Sequence, residues 1–244
     1  MGRVDVTGYD VYAPFYDATQ GDRAQHAAFV RSLIERHHPE AKAVLELACG
    51  TGSILKQLEP RYAVAGVDLS ERMLELAAEK VPHARLVRAD MTAVQLGEQF
   101  DVVLCVYDSI NHLLRFAEWQ AVFDRAREHL HERGIFVFDI NTQHKLASFA
   151  ATERPWIQWF GDGSLVVADV VGHGKGVVAW EIHVFEHVGG PDYRLYSENI
   201  PEISFPLERI KAALGKRFSH VSVVDTQRSR PSPHSERLHF VCRA

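Results

Sequence analysis

Hydrophobic positions fall along this chain in two rhythms. Between residues 43 and 140, short apolar runs without alternation are each followed by stretches in which apolar residues recur every three or four positions. The first pattern suits strands buried on both faces, and the second suits amphipathic helices. Val44-Leu45-Glu46-Leu47, Tyr62 to Val67, Ala84 to Ala89, Phe100 to Val106 and Ile135 to Ile140 read as strands. Helix faces between them are marked by Ile54, Leu55 and Leu58, by Met73, Leu74 and Ala77, and by Trp119, Val122, Phe123, Ala126 and Leu130. An earlier helix face holds Phe29, Val30, Leu33, Ile34 and His37, behind the aromatic segment Tyr9 to Asp17. Such alternation predicts a doubly wound α/β sheet.

Beyond residue 141 the rhythm changes. Runs at Trp156 to Phe160, Leu165 to Val171, Val177 to Val188 and Tyr193 to Ile200 are β-rich and separated by GDG, GHGKG and GGPD turns, which predicts an antiparallel hairpin sheet. Pro206 then opens a helix bearing Leu207, Ile210 and Leu214, and strands His220 to Asp225 and Arg237 to Cys242 flank an RSRPSP loop. The expected organisation is one unit: residues 1–140 as an N-terminal cap and the main part of the core, 141–205 as an inserted β lid, and 206–244 as the last helix and final two strands.

The chemistry gathers at strand ends. Gly50 and Gly52 remove two Cβ atoms where the first strand turns into its helix, so a ligand can approach the backbone. A glycine pair alone also fits an ordinary tight turn. Asp68, 22 residues beyond Glu46, ends the second strand, where an acid can accept the hydroxyls of a ribose held over the glycine turn. After the third strand, Asp90 and Met91 suit an adenine, the carboxylate accepting from its amine and the thioether packing on its ring. The fourth strand delivers Tyr107-Asp108-Ser109-Ile110-Asn111-His112 to the same edge. Tyr12 and Tyr16 can close over a ligand with a polar tip.

Composition narrows the classes. At 244 residues with 46% apolar and 24% charged residues, the chain can bury a full core. A net charge of −5 argues against nucleic acid or an anionic membrane as partner. Cys49, Cys105 and Cys242 form no CxxC pair, His183 and His187 fall on a predicted strand, and His37-His38 reads as a solvated helix end, so no metal is expected. The opening MGRVDVTGYD has no apolar segment, so a cytoplasmic protein is expected.

Together ELACGTG, GVDLS, RADM, FDVV with YDSINHL, and RGIFVFDIN resemble the class I S-adenosylmethionine-dependent methyltransferases, in particular a bacterial small-molecule branch that shares the YAPFYD, DSINHL and SERLHF segments. The resemblance implies a seven-stranded, mostly parallel Rossmann-like sheet with a small antiparallel β lid after strand five. It also implies S-adenosylmethionine as cofactor, S-adenosylhomocysteine as product and a small-molecule methyl acceptor, with the protein a monomer or homodimer. Cofactor contacts implied are Tyr12, Tyr16, Glu46, Ala48, Gly50, Gly52, Asp68, Leu69, Met73, Asp90, Met91, Val106 and Tyr107. Alanine at position 48 departs from the glycine of many relatives. Catalytic candidates at the mouth are Tyr16, Asp108, Asn111 and His112, with His112 the candidate base for a hydroxyl acceptor. N-methylation and O-methylation both stay open. A nicotinamide dehydrogenase is disfavoured because Leu55 stands where G-x-G-x-x-G requires its third glycine. Two competing classes stay open as well, a non-catalytic cofactor-binding module and an RNA or peptide methyltransferase.

Overall fold

The computed structural model describes residues 8–21, 23–152 and 155–244. The first seven residues, part of the opening read for a secretion signal, lie outside the described residues. Seven strands form one sheet: β1 (Ala43–Leu47), β2 (Ala63–Asp68), β3 (Arg85–Arg88), β4 (Phe100–Cys105), β5 (Leu130–Asn141), β10 (His220–Val224) and β11 (Arg237–Arg243). Their spatial order is β10-β11-β5-β4-β1-β2-β3. β11 runs antiparallel to both β5 and β10, and every other pair is parallel. The chain therefore winds outward from β1 to β3, returns to β4 on the other side of β1, and winds outward again. The reversal between β1 and β4 opens the crevice where such sheets take ligands.

Two helical layers explain the unbroken apolar runs. Phe136 and Phe138 face one side with Phe240, against Trp119 and Phe123 of α5 (Phe116–Glu128) and Ile210 and Leu214 of α7 (Leu207–Leu214). Ile135 and Val137 face the other side, against Val30, Leu33 and Ile34 of α2 (Ala24–His37) and Ile54 and Leu58 of α3 (Ser53–Leu58). Each fully buried side chain of this size contributes about 1.5–3 kcal/mol.

Two helices escaped the sequence reading. The aromatic segment is itself α1 (Gly8–Gln20), with Pro14 inside it. Proline removes an interior hydrogen bond, so the segment lacks the signature of a helix. Inside the insertion, α6 (Gln143–Ala150) starts where the Thr142 hydroxyl accepts from the Lys145 amide at 3.2 Å. The insertion also contains a four-stranded antiparallel sheet of β6 (Trp156–Phe160), β7 (Ser164–Gly174), β8 (Val177–Gly189) and β9 (Asp192–Ile203). Its inner face packs Val166, Ile182, Val184 and Ile200 on Tyr12 and Phe15 of α1. α1 is in turn pinned to the first sheet: Asp17 accepts from the Thr51 hydroxyl at 2.7 Å and Asp10 from the Ser70 hydroxyl at 2.5 Å. His37 and His38 are half-buried rather than solvated, with His38 Nε2 3.9 Å from Asp101. Among the described residues, no helix is long and apolar enough to cross a membrane.

Candidate active site

A cavity of about 260 Å³ opens over the carboxyl ends of β1 to β4. Its floor is the glycine turn, where Ala48, Gly50 and Gly52 have φ of 56°, 53° and 72°. Gly50 lines the cavity, and a Cβ there would meet nothing within 4 Å. Gly52 lies behind the turn, where a Cβ would sit 3.1 Å from the Ala77 Cβ of α4 (Glu71–Lys80). Asp68 ties the turn together: one oxygen accepts from the Gly50 amide at 2.7 Å and the other from the Ser70 amide at 2.9 Å. Burial raises its carboxyl above the usual range, and those amides oppose the rise. Leu69, Met73, Asp90, Met91 and Leu113 line the same cavity. Asp90 accepts from the Thr92 amide and hydroxyl, both at 2.7 Å.

A smaller chamber behind the turn is lined by Glu46, Ala48, Gly50, Val106, Tyr107 and Arg23, among others. Glu46 is 3% exposed, and its Oε2 has no hydrogen-bond partner. Burial, then the charge of Asp68, pushes its carboxyl far above the ordinary value. Arg23 donates to the Tyr16 hydroxyl at 3.1 Å and lies 3.7 Å over the Tyr107 ring. An acid with an orphaned oxygen and a guanidinium on one small chamber complement a zwitterionic amino-acid group.

A second cavity, about 140 Å³, shares Tyr9, Tyr16 and Tyr107 with the first and is also lined by Tyr12, Asp108, Trp156, Trp180 and Glu202. Glu202 is buried, accepting from the Trp180 indole at 2.8 Å and the Asn141 amide at 3.3 Å. Burial, then Asp108, raises its carboxyl well above the usual range. His112 lines the first cavity beside Tyr9. Its Nδ1 is 3.3 Å from the Pro201 carbonyl and its Nε2 3.0 Å from the Tyr9 hydroxyl. A carbonyl only accepts, so Nδ1 carries the proton and Nε2 accepts from Tyr9. The imidazole lone pair is therefore aimed at a hydroxyl on the wall, not at solvent.

Tyr107 and Asp108 are consecutive left-handed residues, with φ of 59° and 51°. Asp139 holds this turn by accepting from the Tyr107 amide at 2.7 Å and the Asp108 amide at 3.2 Å, and Arg237 bridges Asp139 and Asp108. Burial pushes the Asp139 carboxyl up, but Arg237 and the neighbouring histidines outweigh it and hold the group low.

Ten of the sequence candidates thus line the first cavity: Tyr16, Ala48, Gly50, Asp68, Leu69, Met73, Asp90, Met91, Tyr107 and His112. Glu46 and Val106 line the smaller chamber, while Tyr12 and Asp108 line the second cavity. Two fall elsewhere. Gly52 packs on α4, and Asn111 is fully buried with its side chain bonded to the Asn141 backbone and the Ile203 carbonyl, so it joins β5 to β9 rather than standing at the mouth. Sequence reasoning missed Tyr9, Arg23, Leu113 and Glu202 as lining residues, while Ser109, part of the segment expected at this edge, does line the first cavity. Arg23 and Glu202 occupy no motif, and only the fold brings them in.

A strand-end cavity over a glycine turn, at the reversal of a doubly wound sheet, defines a protein that binds a nucleoside-type cofactor. A family described as a methyltransferase domain matches residues 44–134. An N,N-dimethyltransferase of dTDP-3-amino-3,4,6-trideoxy-alpha-D-glucopyranose from Streptomyces venezuelae is 32% identical, across 73% of this chain and 70% of its own length. A dTDP-3-amino-3,6-dideoxy-alpha-D-glucopyranose N,N-dimethyltransferase from Streptomyces fradiae is 34% identical, but the match spans 53% of this chain and only 51% of that relative. The crystal structure of DesVI from Streptomyces venezuelae superposes with a TM-score of 0.77 at 27% identity, covering 98% of both chains. A methyltransferase from Clostridium acetobutylicum has the same fold, with a TM-score of 0.83 at 24% identity, covering 97% of this chain and 99% of its own. The chain belongs to the S-adenosylmethionine-dependent methyltransferases.

Proposed function

We propose that the protein transfers a methyl group from S-adenosylmethionine to the amine nitrogen of a small polar metabolite. The observation that carries this reading is the pair of cavities separated by Tyr9, Tyr16 and Tyr107, one apolar with strand-end acids, the other aromatic with Asp108, Glu202 and Arg23 on its walls. In the first, Asp68 would hold the ribose, and Asp90 with Met91, Leu69 and Met73 the adenine. Glu46 and Arg23 would hold the ammonium and carboxylate of the methionyl group. The orphaned Glu46 oxygen supports that fit. When bound, the cofactor supplies a methyl group already activated on a sulfonium, so positioning does most of the work left to the protein.

The second cavity supports a cationic acceptor. Asp108 and Glu202 present carboxyl groups alongside Arg23, and Trp156, Trp180 and Tyr12 supply ring faces that attract cations. The two Streptomyces relatives act on amino sugars by their names, in line with an amine. An amine must be neutral to attack, and the Tyr9 hydroxyl bonded to His112 Nε2 forms a route for its proton. That same contact favours a second reading, methylation of a hydroxyl with His112 as base through Tyr9. The insertion, residues 141–205, acts as the lid, its sheet roofing the second cavity through Trp156 and Trp180. The three cysteines are free and buried, which suits a reducing cytoplasm.

A test is turnover of S-adenosylmethionine to S-adenosylhomocysteine against matched amines and alcohols, including free and nucleotide-linked amino sugars. Amine turnover with the matching alcohol inert supports the first reading; the reverse selects the second. Failure to bind S-adenosylmethionine in calorimetry would reject both.

A further inference from the structure

Behind the Tyr107–Asp108 turn lies a cluster that methyl transfer does not use. Strand alternation sends Phe138 and Phe240 to the α5 side of the sheet, so their neighbours Asp139 and His239, paired across β5 and β11, point to the α2 side. There α2 delivers His26. One donor atom from each of His26, Asp139 and His239 lies within 4.8 Å of the others. His26 Nε2 and both ring nitrogens of His239 are buried without a hydrogen-bond partner. His26 Nε2 stands 3.9 Å from Asp139 Oδ1.

Buried polar atoms almost always have a partner, and three orphaned imidazole nitrogens on two rings beside one carboxylate need an explanation. We propose that His26, His239 and Asp139 form a binding site for a divalent transition-metal ion of the zinc class. Two imidazoles and a carboxylate are a ligand set that such ions take, with the remaining position open to water. The surroundings suit it: the Tyr107 ring lies 4.2 Å from the His26 ring and the Phe29 ring 4.7 Å from that of His239, an apolar shell around hard donors. Arg237 and the Asp108 amide engage Asp139 Oδ2, while Oδ1 accepts the Tyr107 amide at 2.7 Å and keeps a second lone pair on the side of the histidines. The donors must close together by side-chain rotation, and half-buried His26 is the arm free to do so. No spacing pattern announces the site, because its members stand on three distant segments. The ion would fasten α2 to β5 and β11, directly behind the turn that presents Tyr107 to both cavities. Its role is structural and does not depend on which acceptor is methylated.

The test uses the full chain stripped with a chelator and titrated with Co²⁺, then Zn²⁺. The expected result is one Co²⁺ per chain with a visible d–d absorption, displaced by one equivalent of Zn²⁺ and accompanied by a rise in Tm. His26→Gln and His239→Gln should each weaken binding by about tenfold or more. His26→Gln alters a half-buried position, and its metal-free Tm, expected to match that of the stripped native chain, controls for folding. Absence of saturable binding overturns the proposal and leaves the nitrogens to bridging water. So does binding that survives both histidine variants but is lost in Glu202→Gln, which would move the ion to the Asp108, His112 and Glu202 group.

Discussion

Two glycines separated by a single residue should fail in different ways when given a methyl group. Gly50 and Gly52 both have left-handed φ, 53° and 72°, where an alanine costs about 1–2 kcal/mol. At Gly50 that is the whole effect on the fold, because the new Cβ meets nothing within 4 Å. At Gly52 the Cβ would stand 3.1 Å from the Ala77 Cβ, 3.3 Å from the Ala77 Cα and 3.4 Å from Val81 Cγ2. Helix backbone cannot yield as a side chain can, so overpacking adds about 1–3 kcal/mol. Gly50→Ala should therefore lower Tm by roughly 2–8 °C, and Gly52→Ala by about twice that. Ligand affinity should run the other way. Gly50 lines the cavity and its Cβ would take room beside the cofactor, so affinity for S-adenosylhomocysteine should fall by about tenfold or more, equivalent to about 1.4 kcal/mol. Gly52 lines neither cavity, and the folded fraction of its variant should bind almost normally. Thermal unfolding and calorimetric titration of both variants provide the measurement. If Gly50→Ala binds as tightly as the native protein while Gly52→Ala does not, the assignment of the turn as cavity floor is wrong.

Four further outcomes are expected. Glu46→Gln should leave Tm unchanged or raised, since it removes a buried carboxyl, yet weaken cofactor binding by about 1.5–3 kcal/mol through loss of a charge-assisted bond; equal affinity in calorimetry would mean that the orphaned oxygen meets no ammonium. His112→Asn should lower turnover by about a hundredfold with cofactor affinity unchanged, and native turnover would confine His112 to bonding Pro201 and Tyr9. Arg237→Met strips the counter-ion from Asp139 and should cost about 3–5 kcal/mol in chemical denaturation. Because Asp139 is held low in the folded state, its contribution is complete above the ordinary carboxylate value of about 4 and fades as pH falls through the lowered one, so a native acid limb absent from Arg237→Met is the check. Glu202 has the opposite sign: raised by burial and Asp108, it makes stability fall as pH climbs from the ordinary value towards the raised one, and Glu202→Gln should flatten that slope.

The sequence exposed those parts of the molecule that are made locally. Buried strands followed by helices announce themselves by apolar runs and a three-to-four-residue period, and the acids lie within or just after those runs, Glu46 inside β1, Asp68 ending β2 and Asp90 following β3. α1 stayed hidden because Pro14 and a crowd of aromatics break the helical signature. Asn111 read as a mouth residue because it follows β4, but its amide is drawn into the core by Asn141 and Ile203, which lies 92 residues away in the chain. Arg23, Glu202 and Asp139 act through partners on other elements, so no window of sequence contains their reason.

This division between local and distant determinants has a consequence for the chemistry. The proposed cofactor side is assembled mostly from consecutive strand–turn segments within residues 46–113, with Tyr9, Tyr16 and Arg23 completing its walls. The proposed acceptor side depends on α1 and the inserted sheet, with Arg237 of the last strand behind Asp108. The two meet at Tyr107 and Asp108, whose paired left-handed conformations cost about 1–2 kcal/mol each. Asp139 offsets that cost by accepting both amides, Arg237 from β11 offsets the buried charge of Asp139, and Arg237 also reaches Asp108 at 2.5 Å. The orientation of the Tyr107 wall is thus set by the end of the chain rather than by the strand that carries it. Substitutions at Trp156 or Trp180 are expected to remodel the second cavity while leaving the first intact, whereas a change at Arg237 should disturb the Tyr107 wall that both share.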